Sequence, residues 1–406
     1  ARSVSTVSHE FIAKQSPASN TLALVTLSPG ANVAMGDPFG VTDQSSVSVR
    51  GLNQQEIGYI FEGAPMNDPD NYTPNSSEWV DSENMESVQL QQGAPDIEIP
   101  TVYSAGGTMN VRIRNPEYTR SGQVDVSYGS HQMNRQFLRY DTGEIGHTGL
   151  RAFASFSNLT SRAWRGPGRN LRRHMDFKAI KDWAPESYTS LSFTYNNENT
   201  AWYSTPSLAA WNKSGLGGGI NLDGTYKFGD SNYYKGFQTN WTDYFLSSQS
   251  HLALTHKLSL DITPYFYHGS GNYPLGVYTI PTSGTYYDGT QPINGQLAGN
   301  TYSQDGNVAA KWDWYGRESY TGLNAALHYD SGINHLVAGA WYGYSDMNVS
   351  EPFSGLDAAG NVSNSLLKLT DGTVLNGWRY HTITQMVGLY VGDEVRLLND
   401  RLHTNV

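Results

Sequence analysis

Aromatic side chains are concentrated in long stretches of the sequence that lack a regular strand pattern. Flat aromatic rings can stack on a catecholate, a planar chelate or a sugar, so such rings in loops are candidates for ligand contact. Tyr and Trp also form the belts that lie at the headgroups of a membrane, and at this stage both interpretations stay open. The loop aromatics considered for ligand contact are Trp202, Tyr203, Trp211, Tyr273 and Tyr286.

A polar segment near residue 70 offers a second kind of chemistry. It contains Asp68, Asp70 and Tyr72, whose carboxylate and hydroxyl oxygens can bind sugar hydroxyls or a cation. The alternative is that Asp and its Asn and Pro neighbours are ordinary turn formers. Oxygen-rich loops also suggest Ca²⁺, but the spacing of a twelve-residue calcium loop is missing. We therefore predict ligand contact here and no metal site.

Arginines crowd a third segment, around Trp164. Arg165, Arg169 and Arg172 could bind an anionic ligand or the phosphates of lipopolysaccharide, because guanidinium groups pair with phosphate in bidentate fashion. A solvated loop is the alternative. We favour contact with lipopolysaccharide.

Catalytic chemistry is not indicated. The histidines show no metal-binding pair, the serines lack a nucleophile elbow, and Gly106-Gly107 lacks the spacing of a phosphate-binding loop. The formal net charge of −11 argues against a nucleic-acid partner. We predict no enzyme, no cofactor and no catalytic residue.

Regular alternation of apolar and polar residues predicts a series of strands in the second part of the chain. In one run, Leu191 and Phe193 share a face, whereas Ser190 and Ser192 share the other. Runs of about ten residues are long for a globular protein and suit strands that cross a bilayer at a tilt. The same alternation recurs at 258–268, 320–330 and 387–392.

The composition supports a sheet whose apolar face points outward. Among the 406 residues only 38% are hydrophobic, yet 12% are aromatic, and there is no Cys. A soluble β protein has a dry apolar core, whereas a barrel in an outer membrane has a polar lumen. Extracellular β-sandwich arrays share this composition.

Short and long connections alternate, as in a barrel with tight turns at one rim and external loops at the other. The short turns are predicted at 143–148, 184–188, 255–257, 331–334 and 398–400. The long connections are predicted at 160–173, 197–240, 269–317 and 349–380.

The first 116 residues lack this alternation and predict a compact α/β domain, with weak helical character at 16–27. Five segments of this part, in order, resemble the plug domain of TonB-dependent outer-membrane receptors. These segments are 28–33, 49–51, 61–68, 86–95 and 103–111. The plug-motif residues within them are Arg50, Gly51, Gly63, Pro65, Gly93, Gly106 and Gly107.

The resemblance implies a mainly β fold: a transmembrane antiparallel β-barrel, incomplete here, with an N-terminal α/β plug domain in its lumen. Residues 1–116 would be the plug and residues 117–406 the first half of a 22-stranded barrel, with ten strands and the start of an eleventh at 401–406. Ten strands would leave open edges in lipid, so we expect further strands. In the family, plug arginines pair with barrel glutamates. Gln92 replaces one such arginine, and Arg50 keeps another, whose partner is expected beyond Val406.

The implied function is active transport of a scarce ligand across the bacterial outer membrane, driven by the energy-transducing partner TonB. The ligand expected first is a ferric siderophore, held by the plug apices and the long loops. Uptake of a carbohydrate or another metal chelate, and a passive pore or adhesin, are the alternatives. Outer-membrane lipid and lipopolysaccharide would surround the barrel.

Overall fold

A computed structural model describes residues 3–214, 221–299, 301–397 and 402–405. The N-terminal part, the predicted plug, is built on a five-stranded sheet with the order β1-β6-β7-β4-β5, in which only the β4–β7 pair is parallel. The strands of this part are β1 Ser3–Ser8, β2 Ala31–Ala34, β3 Ser46–Val49, β4 Ile57–Phe61, β5 Ala64–Pro65, β6 Met85–Gln92 and β7 Gly107–Ile113.

The plug sheet forms around apolar residues that are covered on both faces. β4 is buried at every position, and a central strand of this kind shows a continuous apolar run instead of alternation. Tyr59 and Phe61 are fully buried within its core. The helical character predicted at 16–27 corresponds to a short helix and a following 3₁₀ turn at Val25–Leu27. The plug helices are α1 His9–Ile12 and α2 Thr21–Leu24, and the other plug 3₁₀ turns are Gln54–Glu56 and Ser82–Asn84.

The second part is an antiparallel sheet with eleven strands along one path, the barrel sheet. Its strands are β8 Arg120–Gly129, β9 Met133–Thr142, β10 Leu150–Arg162, β11 Arg169–Ala184, β12 Ser187–Ala201, β13 Gln238–Thr255 and β14 Leu258–Pro281, followed by the short β15 Ser283–Asp288, β16 Gln291–Gln296 and β17 Ser303–Gln304, and then β18 Asn307–Asp330, β19 Asn334–Leu356, the short β20 Val362–Leu366, β21 Asn376–Leu397 and β22 Leu402–Asn405.

Further helical turns lie in the connections of the barrel sheet. They are the helix α3 Leu208–Ser214 and the 3₁₀ turns Ser130–Gln132 and Tyr234–Gly236. No helix among the described residues is long and apolar enough to cross a membrane.

The polarity of the barrel sheet is inverted relative to a soluble protein. On β12, Leu191 and Phe193 are 40% and 36% exposed, whereas Ser192 and Thr194 are each 1% exposed. The apolar face thus points away from the plug and the polar face points towards it. This arrangement suits a wall with lipid outside and a polar lumen inside.

The barrel strands are longer than the sequence suggested. β14 and β18 have 24 residues each, and their pairing continues from Leu258↔Tyr329 to Pro281↔Asn307. Most of the long connection predicted at 269–317 is therefore paired strand plus the β15–β16 hairpin. The connection predicted at 160–173 shrinks to residues 163–168. Glycines and aromatics interrupt the simple alternation there, which hid the strand extensions.

The predicted short turns and the long connections lie at opposite ends of the strands, although the short connections 130–132 and 163–168 share the end that carries the long ones. Residues 143–149, 185–186 and 331–333 close one end, and residues 202–237 and 357–375 leave from the other. The plug enters the barrel sheet at the tight-turn end, because β8 begins at Arg120 opposite Thr142. The predicted turn at 398–400, and residues 401 and 406 of the predicted eleventh strand, lie outside the described residues.

Candidate functional site

The plug is held against the barrel sheet by buried ion pairs, here called the ion-paired dock: Asp81 and Glu83 of the plug with Arg135 and Arg172 of the barrel sheet. Arg172 Nη1 lies 2.7 Å and Arg135 Nη2 lies 3.2 Å from Asp81 Oδ1. Arg135 also donates to both carboxylate oxygens of Glu83. No side chain in the dock is more than 9% exposed.

The charges of the dock compensate one another. Burial tends to raise the pKa of Asp81, but the nearby Arg135 and Arg172 outweigh it and hold that pKa far below its usual value. Next along the plug, Asn84 Nδ2 donates to Asp176 Oδ2 at 2.6 Å and to Ser155 Oγ at 2.7 Å. The segment Asp81 to Asn84 is thus bound to the three neighbouring strands β9, β10 and β11.

A second contact is made by the turn after β4. Lys178 Nζ lies 2.9 Å from Glu62 Oε2, and Ser192 Oγ donates to the same oxygen at 2.7 Å. Gly63 has a φ of +79°, and a Cβ there would lie 2.9 Å from Gln249 Nε2 of the barrel sheet. The positive φ at this position favours glycine, whereas the end of the Gln249 side chain could move away from a Cβ.

The other plug-motif residues build the plug itself. Arg50 Nε donates to Gln92 Oε1 at 2.7 Å, so this arginine pairs within the plug. Gly107 has a φ of +125°, and a Cβ there would meet Gln91 O at 2.1 Å. The remaining motif residues lie in turns or at strand ends: Gly51, Pro65, Gly93 and Gly106.

At the end of the strands that carries the long connections, four rings form a continuous aromatic cluster. Neighbouring ring centroids within it are between 5.6 and 6.3 Å apart. The aromatic cluster consists of Trp202, Trp241, Tyr273 and Trp314.

Plug apices touch this cluster through hydrogen bonds. Tyr273 donates to Asp43 Oδ2 at 3.1 Å. Trp314 Nε1 donates to the hydroxyl of Tyr380, which in turn donates to Asp70 Oδ1 at 2.9 Å. Plug loops and barrel aromatics therefore meet on one surface, which faces the long connections.

The three predicted plug residues lie in different settings. Asp68 is 7% exposed and accepts hydrogen bonds from the backbone of Asp70 and Asn71, so it builds its own turn. Burial raises its pKa to about 6. Asp70 is exposed and reaches the aromatic cluster through Tyr380. Tyr72 packs against Tyr103, with ring centroids 4.2 Å apart.

The predicted loop aromatics are only partly brought together. Trp202 and Tyr273 belong to the aromatic cluster. Tyr203 lies beside it, buried, with its backbone N–H donating to Gln44 Oε1 at 2.6 Å. Trp211 is exposed on α3, and Tyr286 is buried in the hairpin β15–β16, where its hydroxyl donates to Pro281 O. Among the described residues, neither of these last two rings contacts a ring of the cluster.

Three residues of this region were not identified from the sequence, because their segments were predicted to be loops or to precede the strands. These residues are Trp241, Trp314 and Tyr380. In the structure Trp241 and Trp314 lie on the inner face of β13 and β18. Their alternation with polar neighbours, as in Trp312-Asp313-Trp314, was the available signal.

The arginines predicted to contact lipopolysaccharide also separate. Arg172 is a correction: it is 8% exposed and belongs to the ion-paired dock, since it sits on the inner face of β11. Arg165 is half-buried and donates to Ser204. Arg169 is exposed at the start of β11.

Comparison with known proteins agrees with this geometry. Residues 1–108 match the family model described as TonB-dependent receptor plug domain. No curated protein matches the chain in sequence. The fold resembles the ferripyoverdine receptor of the outer membrane of Pseudomonas aeruginosa, with a TM-score of 0.67 and 13% identity over 98% of this chain and 50% of that one.

Two further solved structures show the same fold. The ferric-catecholate import receptor of E. coli matches with a TM-score of 0.61 and 15% identity, over 97% of this chain and 54% of that one. The ferric yersiniabactin uptake receptor of Yersinia pestis matches with a TM-score of 0.57 and 11% identity, over 98% and 62%. The chain spans about half the length of the first of these receptors.

The predicted mainly β fold, an α/β plug with part of an antiparallel barrel, is therefore confirmed. TonB-dependent receptors are transporters rather than enzymes and reside in the bacterial outer membrane, in agreement with both predictions. Residues 1–108 thus match the plug domain of the TonB-dependent receptors, and the chain as a whole has the fold of the plug and part of the barrel of such receptors.

Proposed function

We propose that the protein actively takes up a scarce ligand across the outer membrane, in a step driven by TonB. The observation that carries this proposal is the plug itself, which is bound to the inner face of the barrel sheet through Asp81, Glu83 and Glu62. A passive pore needs an open lumen. A lumen occupied by a folded domain needs a source of energy to clear it.

The chemistry of the dock suits such a step. The contacts of the dock are ion pairs and hydrogen bonds, and water entering the lumen can replace them one by one. Apolar contacts also join the plug to the barrel sheet, since the rings of Phe61 and Phe245 lie 4.9 Å apart, so a shift of the plug driven by TonB from the N-terminal side of β1 would have to separate both kinds of contact. We propose that residues 1–116 form the moving unit and residues 117–406 the first half of the barrel that surrounds it.

The ligand class that we propose is a ferric siderophore. The aromatic cluster offers flat rings at the end of the strands that carries the long connections, beside the plug apices Asp43 and Asp70. Such rings suit the planar catecholate or chromophore of an iron chelate. The structural relatives bind or import ferripyoverdine, ferric catecholate and ferric yersiniabactin, according to their descriptions.

Among the loop residues, we propose Trp202, Tyr273 and Asp70 as ligand contacts, with Trp314 and Tyr380 added by the structure. Arg169 keeps a proposed role in contact with lipopolysaccharide phosphate, because its side chain is exposed at the outer end of β11.

Uptake by cells that carry the intact receptor tests the proposal. Cells with and without TonB would be given a panel of ⁵⁵Fe-loaded siderophores and labelled oligosaccharides. We expect TonB-dependent accumulation of at least one iron chelate. Trp314→Ala should weaken its uptake, and Trp211→Ala, which alters an exposed ring away from the cluster, should leave it unchanged.

Accumulation without TonB would contradict active transport. Uptake of an oligosaccharide but of no iron chelate would keep the transport proposal and overturn the siderophore assignment.

A further inference from the structure

Three carboxylates from two parts of the fold converge between the plug and the barrel sheet. Asp43 and Glu78 belong to plug loops, and Glu198 lies on the inner face of β12. One oxygen from each lies within 4.8 Å of the others. Together with the neighbouring Asp243 and Glu318, they are here called the acidic cluster.

Among the three converging carboxylates, two oxygens have no hydrogen-bond partner within the described residues. Glu78 and Glu198 are 1% and 0% exposed. Among the described residues, Glu78 Oε1 and Glu198 Oε1 accept no hydrogen bond. Their other oxygens are held: Tyr267 donates to Glu78 Oε2 at 3.0 Å, and Asn196 Nδ2 lies 3.4 Å from Glu198 Oε2. A buried oxygen without a partner costs roughly 1–3 kcal/mol, and more when it is charged.

The surrounding charges make this arrangement costly without a positive occupant. Burial and the charges of Asp243, Asp43 and Glu198 raise the pKa of Glu78 well above its usual value. Arg172 is the cation that acts on Glu198 and Asp243, but its guanidinium is already bonded to Asp81 and to Ser77 O. The acidic cluster therefore holds unoccupied oxygen ligands at a place where the carboxylates can be charged together only if a cation compensates them.

We propose that Asp43, Glu78 and Glu198 bind one divalent cation of the Ca²⁺ class, which bridges the plug to the barrel. The ligand atoms are all oxygens, which hard cations prefer over the nitrogen and sulfur sites of transition metals. Ligands on opposite sides of a Ca²⁺ ion are about 4.6–5.2 Å apart, whereas those of Mg²⁺ are about 4.0–4.2 Å apart. One oxygen of each of the three carboxylates lies within 4.8 Å of the others, so a single Ca²⁺ ion can contact all three.

The site is distinct from the proposed ligand contacts, although it touches them. Asp43 also accepts a hydrogen bond from Tyr273 of the aromatic cluster. A cation held here would fix the plug loop beneath that cluster and would have to be released or carried along if the plug shifts. The proposal concerns cation binding alone and does not depend on which ligand is transported.

The test uses the intact receptor, purified in detergent and stripped with EDTA. Ca²⁺ alone would be titrated in by calorimetry, and the melting temperature recorded with and without it. Terbium luminescence would report the site, since Tyr267 and Tyr273 bond directly to two of its carboxylates and can sensitise the ion. We expect one Ca²⁺ per chain, a higher melting temperature and a terbium signal.

Glu78→Gln and Glu198→Gln should each lose the thermal shift and the terbium signal, while near-ultraviolet circular dichroism shows that both variants are folded. Glu117→Gln is the matched control, because it makes the same change at a carboxylate that is 47% exposed, and it should behave as the parent protein.

Calcium that is bound by residual outer-membrane lipid would give the same response in every variant, and that result would overturn the proposal. The absence of binding, with a stability that instead rises as the pH falls, would show that protons occupy the acidic cluster and would overturn it as well.

Discussion

The ion-paired dock and the acidic cluster both include the same plug segment, through Asp81 and Glu78, which are three residues apart. Their surroundings differ, because buried carboxylates face arginines in the dock and other carboxylates in the cluster. In the dock, Arg135 and Arg172 face Asp81 and Glu83 at hydrogen-bonding distance. In the cluster, Glu78 faces further carboxylates and a tyrosine hydroxyl.

Burial alone therefore does not determine whether a carboxyl group in this lumen is protonated or charged. Desolvation raises the pKa of both Asp81 and Glu78, but the two arginines reverse the shift for Asp81, whereas neighbouring carboxylates reinforce it for Glu78. In the dock, arginines of the barrel sheet compensate the charge of the buried carboxylates. The cluster needs protons or a cation from solution.

The largest expected effect comes from breaking the dock. Arg135→Met leaves Asp81 and Glu83 buried with less compensation, and removal of one partner from a buried pair costs about 3–5 kcal/mol. The free energy of unfolding of the plug, measured in urea, should fall by that amount. Arg173→Met, on the outward face of β11 two strands away, is the control and should change little. An equal loss in both variants would contradict the assigned role of Arg135.

Lowering the pH should have the next largest effect, and it should change the stability contributed by the two regions in opposite directions. Because the folded-state pKa of Glu78 is raised, its protonation stabilises the fold as pH drops through that pKa. Because the pKa of Asp81 is lowered, its contribution is present above about pH 4 and is lost only in stronger acid.

With EDTA present, the free energy of unfolding should therefore rise as the pH falls from 7 to 5, because the raised pKa of Glu78 makes proton uptake favour the folded state. It should fall again below about pH 4, and Glu78→Gln should flatten the rise. A monotonic decline from pH 7 in the parent protein would argue against uncompensated charge in the acidic cluster.

Neutralising the acidic cluster should have a smaller effect of the opposite sign. In EDTA, Glu198→Gln removes one buried negative charge and keeps the shape of the side chain, so the free energy of unfolding should stay equal or rise by up to about 1 kcal/mol. Urea unfolding at pH 7 measures it. A loss comparable with that of Arg135→Met would mean that Glu198 is compensated after all.

The smallest effect is expected for an ion pair that is exposed to solvent. Arg114 and Glu117 form an ion pair with Nη2 2.9 Å from Oε1, but the carboxylate is 47% exposed. Glu117→Gln should change the free energy of unfolding by less than about 0.5 kcal/mol. A larger change would show that exposure alone does not explain the contrast between surface pairs and the dock.

The sequence predicted those features that repeat locally. Alternation at Leu191, Ser192 and Phe193 was enough to predict an inverted sheet, because one face must suit lipid and the other a polar lumen. The plug segments were recognised from their order, and Gly63 and Gly107 occupy positions where a positive φ favours glycine.

The site could be predicted only in part, because its residues are far apart in the sequence. They come together only through the pairing of the barrel strands and the position of the plug against them. Glu78 and Glu198 are 120 positions apart, and their meeting depends on how the plug is seated. Arg172 was assigned to an external loop because the strand was predicted to begin after it, whereas β11 starts at Arg169 and turns Arg172 inward.

The central claim is that the plug lies inside the barrel, bound through the segment Asp81 to Asn84. The 406 residues contain no Cys, and the receptor without introduced cysteines serves as the background control. In intact cells, Asn84→Cys combined with Ser155→Cys should be joined by a short thiol-specific bifunctional reagent, since the two native side chains are 2.7 Å apart. Asn84→Cys combined with Phe156→Cys, whose side chain points outward and is 42% exposed, should not be joined. Equal cross-linking of both pairs, or of neither, would contradict the account.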